Sequence, residues 1–434
     1  MTVLAGRVSP AERMQTVRKI IFSLLILLGL SSNAWAMRTP LIMAAGTNPS
    51  TSATNYAGFS GGWAATNDDG VRSLVPLDGV LEGLYVSLTV APGAGKSYAF
   101  TVRKNGADTS LTCTVSDSNT TCQMSGSVSY SAGDTLALKC VPSGTPTATL
   151  PRISSVFNSR SGGGSPVLSS SNNTSPSTAS SQSVAIQNIL GWAQHGLRTY
   201  MPTSGTLSGL RVLVTTAPGA GKSVTLTINK NAVATSLTCT VSETANTCND
   251  LSNSVSVVQG DYLTVTYAPT STPASSTVVI GTVFTPTIDG ESFQSYSYGG
   301  GAPDNTQDTY ANFAANAQAT STTETGRVIS SSDFILKNFY MVAGAASGTS
   351  KTWTYTVRKN SADTSVTCSR TGSSALTCSD NVNSVSLGTG DIISVKFSPS
   401  GTPTGSSSNH FSAVFYNDPK DKIYGGTFYG STLY

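Results

Sequence analysis

The sequence predicts an all-β protein: three tandem antiparallel β-sandwich, jelly-roll-like domains behind a signal peptide. Three observations lead there. The segment 96–105 (KSYAFTVRKN) returns as 222–231 (KSVTLTINKN) and as 351–360 (KTWTYTVRKN). That period of about 125 residues marks whole domains in series, because solenoid repeats of roughly 20–50 residues need neighbours to complete a core. Within each copy apolar and polar residues alternate between turn signals, and no useful helical period follows the amino-terminal apolar run.

At the amino end, Arg18 and Lys19 precede an apolar run over 20–30, followed by small residues ending in Ala34 and Ala36. This is the layout of a secretory signal over 1–36, cleaved after Ala36, with Met14 as a second candidate start. Retention as an anchor is the alternative. The run is short of the about 20 residues that a span needs, so the mature chain is expected to carry no stable membrane span and to be secreted or at the cell surface.

Superposing the copies places β-sandwich repeats at 38–157, 166–284 and 290–415, with an aromatic, glycine-containing tail over 416–434. Each copy is long enough to bury its own core and is expected to fold by itself. Each opens on an apolar strand (Leu41 to Met43; Val167 and Leu168; Phe293), followed by a polar loop region and an arginine at a matched place, Arg72, Arg198 or Arg327. An ion pair or carbonyl clamp inside the fold is the simplest role for that arginine. Next comes the clearest strand, with Tyr98, Phe100 and Val102 on one face, matched by Val224, Leu226 and Ile228 and by Trp353, Tyr355 and Val357. The turn aspartates Asp134, Asp261 and Asp391 are expected to satisfy local backbone donors before a further apolar strand. Short strands ending at Phe157, Phe284 and Phe415 close the copies. About eight strands per copy suit a two-sheet sandwich, and the lack of a Cys-Trp-Cys pattern favours the jelly roll over the immunoglobulin plan.

Seven cysteines follow the repeat. Cys113 with Cys122, Cys239 with Cys248, and Cys368 with Cys378 read as one local disulfide per copy in an exported chain. They lack the neighbouring ligands and closer spacings of zinc sites. Cys140 occupies the place of Tyr267 and Phe397 and reads as a buried apolar residue.

Only 11% of residues are charged and the formal net charge is +3. No basic stripe exists for phosphate neutralisation, which argues against nucleic acid as a partner. The segment 91–97 (APGAGKS) ends like a phosphate-binding loop, but Val90 and Thr216 stand where that loop needs glycine, and it joins two strands instead of opening a helix. The only histidines, His195 and His410, sit at unmatched places. Asp68 and Asp69 could meet a calcium ion but are expected to be solvated turn residues. The expectation is therefore no enzyme, no cofactor and no metal.

The wording of 91–116 (APGAGKSYAFTVRKNGADTSLTCTVS) and 133–146 (GDTLALKCVPSGTP) resembles a repeat of uncharacterised secreted bacterial proteins and phage tail-fibre or appendage proteins. The length and strand plan also look like the jelly-roll heads of the tumour-necrosis-factor and complement-head superfamily. That second likeness implies trimers for single-domain relatives, so that three linked copies would mimic a trimer in one polypeptide. A string of separate domains is the other arrangement.

The leading function expected is a secreted structural or adhesive protein, a module of an appendage, coat or fibre, with self-association or other surface proteins as partners. The alternative is a carbohydrate- or receptor-binding, lectin-like protein with glycans as partners. Candidate ligand or assembly residues are Trp63 and Trp192, as an aromatic platform if they are not core, and Tyr424, Phe428, Tyr429 and Tyr434 of the tail, as a docking strand.

Overall fold

A computed structural model of the chain describes residues 37–44, 47–59, 63, 66–159, 164–170, 174–189, 192, 197–299, 302–313, 321–324 and 328–417. The expected signal segment, His195, Arg327 and the tail aromatics Tyr424, Phe428, Tyr429 and Tyr434 lie outside them. No described residue is helical, so no helix among them is long and apolar enough to cross a membrane.

The first copy contains β1 (Arg38–Ala44), β2 (Asn55–Ala57), β3 (Ser73–Leu74), β4 (Gly79–Leu88), β5 (Gly93–Lys104), β6 (Ala107–Asp117), β7 (Thr121–Tyr130), β8 (Thr135–Ser143) and β9 (Pro151–Ser159). One sheet runs β1-β9-β4-β7 and the facing one β3-β8-β5-β6, with β2 also on β8, all antiparallel. The chain thus crosses repeatedly between the sheets, as in a jelly roll, and stays within one sheet only from β2 to β3 and at the β5–β6 hairpin. The other copies repeat the plan, with four-stranded orders built from Ser165–Ser170, Val278–Pro286, Gly205–Val214 and Thr247–Val257, then from Glu291–Gly299, Ser408–Tyr416, Phe334–Ala343 and Thr377–Leu387.

Tyr98, Phe100 and Val102 of β5 are fully buried, as the alternation predicts. Where β4 meets β7 the register slips between Glu82 and Leu84, and Gly83 takes a φ of 65° there. The same bulge falls at Gly209 and at Asn338, a residue type that also tolerates the left-handed region. All three disulfides form as paired in the sequence. Each ties β6 or its counterpart to β7 or its counterpart, so it staples the edge of one sheet to the edge of the other. Cys140 is free and fully buried, and burial pushes its thiol pKa up.

The three hydrophobic cores exchange side chains. Leu168 and Val283 of the second copy complete the first core, Phe293 of the third completes the second, and Ile42 and Val156 of the first complete the third. Folding is thus shared between neighbours more than the repeat length alone suggests. The short strand β3 touches Ser165–Ser170 and Val278–Pro286; Thr199–Tyr200 touches Glu291–Gly299 and Ser408–Tyr416; Val328–Ile329 touches β1 and β9. One contact recurs three times, and the third returns to the first copy, so the described body is a closed head-to-tail ring rather than a string.

Hydrogen bonds seal each seam. Arg211 Nε donates to the Pro76 carbonyl at 3.0 Å, the Arg198 amide to Ser297 Oγ at 3.0 Å, and Arg38 Nη2 to Ser332 Oγ at 2.8 Å. The opening strands of the copies also meet: Thr39 Oγ1 lies 2.9 Å from Ser165 Oγ, and Gln294 Nε2 donates to the Pro40 carbonyl at 2.7 Å.

Candidate functional site

Several residues singled out in the sequence prove structural. Trp63 packs 5.9 Å from Phe100 and Trp192 5.5 Å from Tyr267, both inside cores, so neither presents a surface platform. Asp68 is not a solvated turn residue: it is buried and accepts from Arg103 Nε at 2.8 Å. Arg103 also pairs with Asp108 and lies 5.2 Å over the Tyr56 ring, so Asp68 serves an internal ion pair. Arg358 repeats this arrangement with Glu324, Asp363 and Tyr310. Among the described residues no cluster of His, Cys, Asp and Glu could hold a metal ion. The matched arginines diverge, Arg72 pairing with Asp69 at 3.0 Å and Arg198 lying 4.4 Å over the Tyr262 ring.

The loop that imitates a phosphate cradle is the entry to β5. Asp117 Oδ1 already accepts from the Gly95 amide at 2.8 Å, so one of the donors an anion would need is occupied by a carboxylate. The turn aspartates do what the sequence suggests. Asp134, Asp261 and Asp391 each accept from a backbone amide three residues earlier, Ser131, Val258 or Gly388. Each also takes an asparagine side chain, Asn105, Asn231 or Asn360.

A groove of about 400 Å³ lies at one end of the third sandwich. Its apolar wall is Phe334, Ile335, Leu387 and Tyr416; Asp333 and Asp391 stand on its rim. The strand Phe334–Ala343 supplies the first two, and Tyr416 ends the last strand, paired in register with Ile335. Phe334 is buried edge-on against Phe415 at 6.3 Å, with the Arg38 guanidinium of the first copy 5.9 Å above its ring. Lys337 Nζ sits 4.5 Å over Tyr416 and 2.8 Å from the buried Glu291 carboxylate, which fixes that tyrosine's orientation.

Register shows that two residues of this wall are peculiar to the third copy. Phe334 stands where Gly79 and Gly205 stand elsewhere, and a Cβ added to those glycines would meet the Phe157 ring at 2.2 Å or the Phe284 ring at 2.5 Å. Tyr416 likewise replaces Asn158 and Thr285. Among the polar groups, Lys359 Nζ lies 2.8 Å from Asp391 Oδ2 and donates to the Ser386 carbonyl at 2.9 Å. Burial alone would raise the Asp391 pKa; the Gly388 amide, Lys359 and Asn360 outweigh it and hold the carboxyl below its usual range. Asn417 Nδ2 donates to the Asp333 carbonyl at 3.1 Å, while the Asp333 side chain itself is exposed.

This wall was missed in the sequence, although a signal existed: an aromatic residue at a position that is glycine in the two sister copies. The arrangement offers an amphipathic ligand an aromatic and aliphatic surface beside carboxylate and amide groups.

No protein-family model matches this chain, and no curated protein matches it. Among solved structures the chain is similar to the CBM22-1–CBM22-2 tandem domain of Xyn10C from Paenibacillus barcinonensis. The identity is 13% and the TM-score 0.18, over 59% of this chain and 92% of that one. It is also similar to the M60 catalytic domain with the CBM51-1 and CBM51-2 domains of ZmpB from Clostridium perfringens. There the identity is 11% and the TM-score 0.17, over 87% of this chain and 38% of that one.

Proposed function

We propose that the protein is an exported, non-catalytic adhesive head whose third repeat binds carbohydrate. The observation that carries this reading is the groove walled by Phe334, Ile335, Leu387 and Tyr416. A pyranose ring has a C–H face that rests on apolar and aromatic surface and hydroxyls at its rim. Asp333 and Asn417 stand where such hydroxyls would find an acceptor and an amide. The volume suits one or two sugar rings at a chain end.

The ring supports the adhesive part of the proposal. Three disulfide-stapled sandwiches closed on one another form a body that holds the groove's Phe334 wall in place through Arg38 of another repeat. Such a head mimics a trimer in one polypeptide while letting one copy diverge for recognition. Preorganisation of this kind lowers the entropic cost of binding.

The test is a glycan array probed with the secreted chain, followed by calorimetry on the best ligand. Tyr416→Ala should weaken binding at least tenfold while the thermal midpoint moves by only a few degrees. Failure of the intact chain to bind any glycan, or equal binding by the variant, would overturn the reading.

A further inference from the structure

We propose that the seam between the second and third repeats is an acid-sensitive latch, loosening when His410 takes up a proton while the other two seams stay shut.

His410 lies in the strand Ser408–Tyr416 and is buried at that seam. Its Nδ1 is 2.7 Å from Ser297 Oγ and its Nε2 2.8 Å from Ser408 Oγ, both in its own repeat. Across the seam its ring rests 5.2 Å from the ring of Tyr200. Ser297 Oγ also accepts the Arg198 amide of the second repeat, so the imidazole, one serine and the opposing backbone form one chain of contacts.

The groups facing this imidazole cannot welcome a second positive charge. From the second repeat come Arg198, Tyr200 and Tyr262, with Arg198 Nη1 3.4 Å from Tyr200 Oη and its guanidinium over Tyr262. From the third come Tyr340, whose ring lies 6.4 Å from that of Tyr200, and the two serines. Among the described residues no carboxylate pairs with His410. A proton placed there would be a buried cation facing an arginine, and serine hydroxyls are its only direct partners.

The equivalent position at the other seams does not titrate in this range. Register places Arg152 of β9 and Val279 where His410 stands, one a permanent cation and the other an aliphatic. Among the described residues, the second-to-third joint is thus the one that carries a histidine, a group whose charge changes between neutral and mildly acid pH.

Burial first, and then Arg198, lowers the His410 pKa to about 3 in the closed seam. An opened seam restores an ordinary histidine near pH 6.5. The closed state binds fewer protons, so its stability is complete above about pH 6.5 and declines as pH falls from there toward 3. Between pH 7 and pH 5 the opening equilibrium shifts by about 20-fold.

Hydrogen exchange on the full chain, corrected for intrinsic rates, reads this directly. Residues 197–203 report the latch, since the two-residue strand Thr199–Tyr200 is covered by the third repeat; 72–76 and 328–332 report the other seams. The expected result is about a 20-fold loss of protection at 197–203 between pH 7 and pH 5, with the other two unchanged. The loss should vanish in His410→Val, the residue of the second repeat, and persist in His195→Gln. His410→Gln keeps a hydrogen-bonding group without titrating, and serves if the valine variant does not fold. Equal losses at all three seams, no loss at 197–203, or a loss that survives in the His410 variants would overturn the proposal.

Discussion

Gln259 Nε2 donates to Asn381 Oδ1 at 2.8 Å, and Asn381 Nδ2 donates back to Gln259 Oε1 at 2.9 Å, joining the second repeat to the third. This reciprocal pair is solvent-facing, so each bond is expected to be worth little alone. A double-mutant cycle of Gln259→Ala and Asn381→Ala, followed by denaturant unfolding, should give a coupling energy of about 0.5–1 kcal/mol. A coupling indistinguishable from zero would mean that this side-chain pair does not hold in solution.

Asp250 is expected to make stability depend on acid in another window. It lies in the strand Thr247–Val257 beside the bulge at Gly209 and accepts from the Thr238 amide of the facing sheet's edge strand. Burial would raise its pKa, but bonds from the Asn253 side chain and amide and from the Thr238 and Ser252 amides hold it at about 2. A folded pKa below the unfolded value near 3.9 means stability present above that pH and lost as pH falls through about 2. Asp250→Asn should therefore cost about 2 kcal/mol at pH 7, with the gap to wild type closing below pH 3. Midpoints at pH 7, 4 and 2.5 decide it, and a gap that does not depend on pH would refute the charge-based account.

The disulfides should each matter to the whole ring. The pair Cys239–Cys248 closes a short loop across the two sheet edges, and by the chain-entropy estimate its removal costs about 2–3 kcal/mol. Because the second core also takes in Phe293 from the third repeat, Cys239→Ala with Cys248→Ala should lower one shared unfolding transition instead of splitting off an early one. Scanning calorimetry separates these outcomes.

The sequence made the strands legible wherever one face meets a core and the other meets water. Tyr98, Phe100 and Val102 announce themselves by alternation, and the cysteine pairs by recurrence. The ring was only one of two arrangements, because its seams bury polar side chains: Thr39, Ser165 and Ser292 occupy matched, buried positions in the opening strands, yet serine and threonine read as solvent-facing. Asp68 misled for a related reason. Its counter-ion Arg103 lies 35 residues away on another strand, and no local pattern reveals that meeting. The groove needed a comparison between copies, where Gly79, Gly205 and Phe334 disagree at one place.

A last prediction concerns a buried charge peculiar to the third core. Arg370 is 1% exposed and its Nε and Nη2 donate to Tyr355 Oη at 3.0 and 2.6 Å, while Nη1 donates to the carbonyls of Ala345 and Ala375. In the first repeat the same two places hold Val115 and Phe100, an apolar pair in the same fold. Removing only the hydroxyl, in Tyr355→Phe, strands two guanidinium donors in a buried core and should cost about 3 kcal/mol. Removing both partners, in Arg370→Val with Tyr355→Phe, rebuilds the first repeat's pair and should cost less than about 1 kcal/mol. Denaturant midpoints of the two variants test this. A double variant less stable than the single one would show that the buried arginine contributes net stability to the third core, through the Ala345 and Ala375 carbonyls.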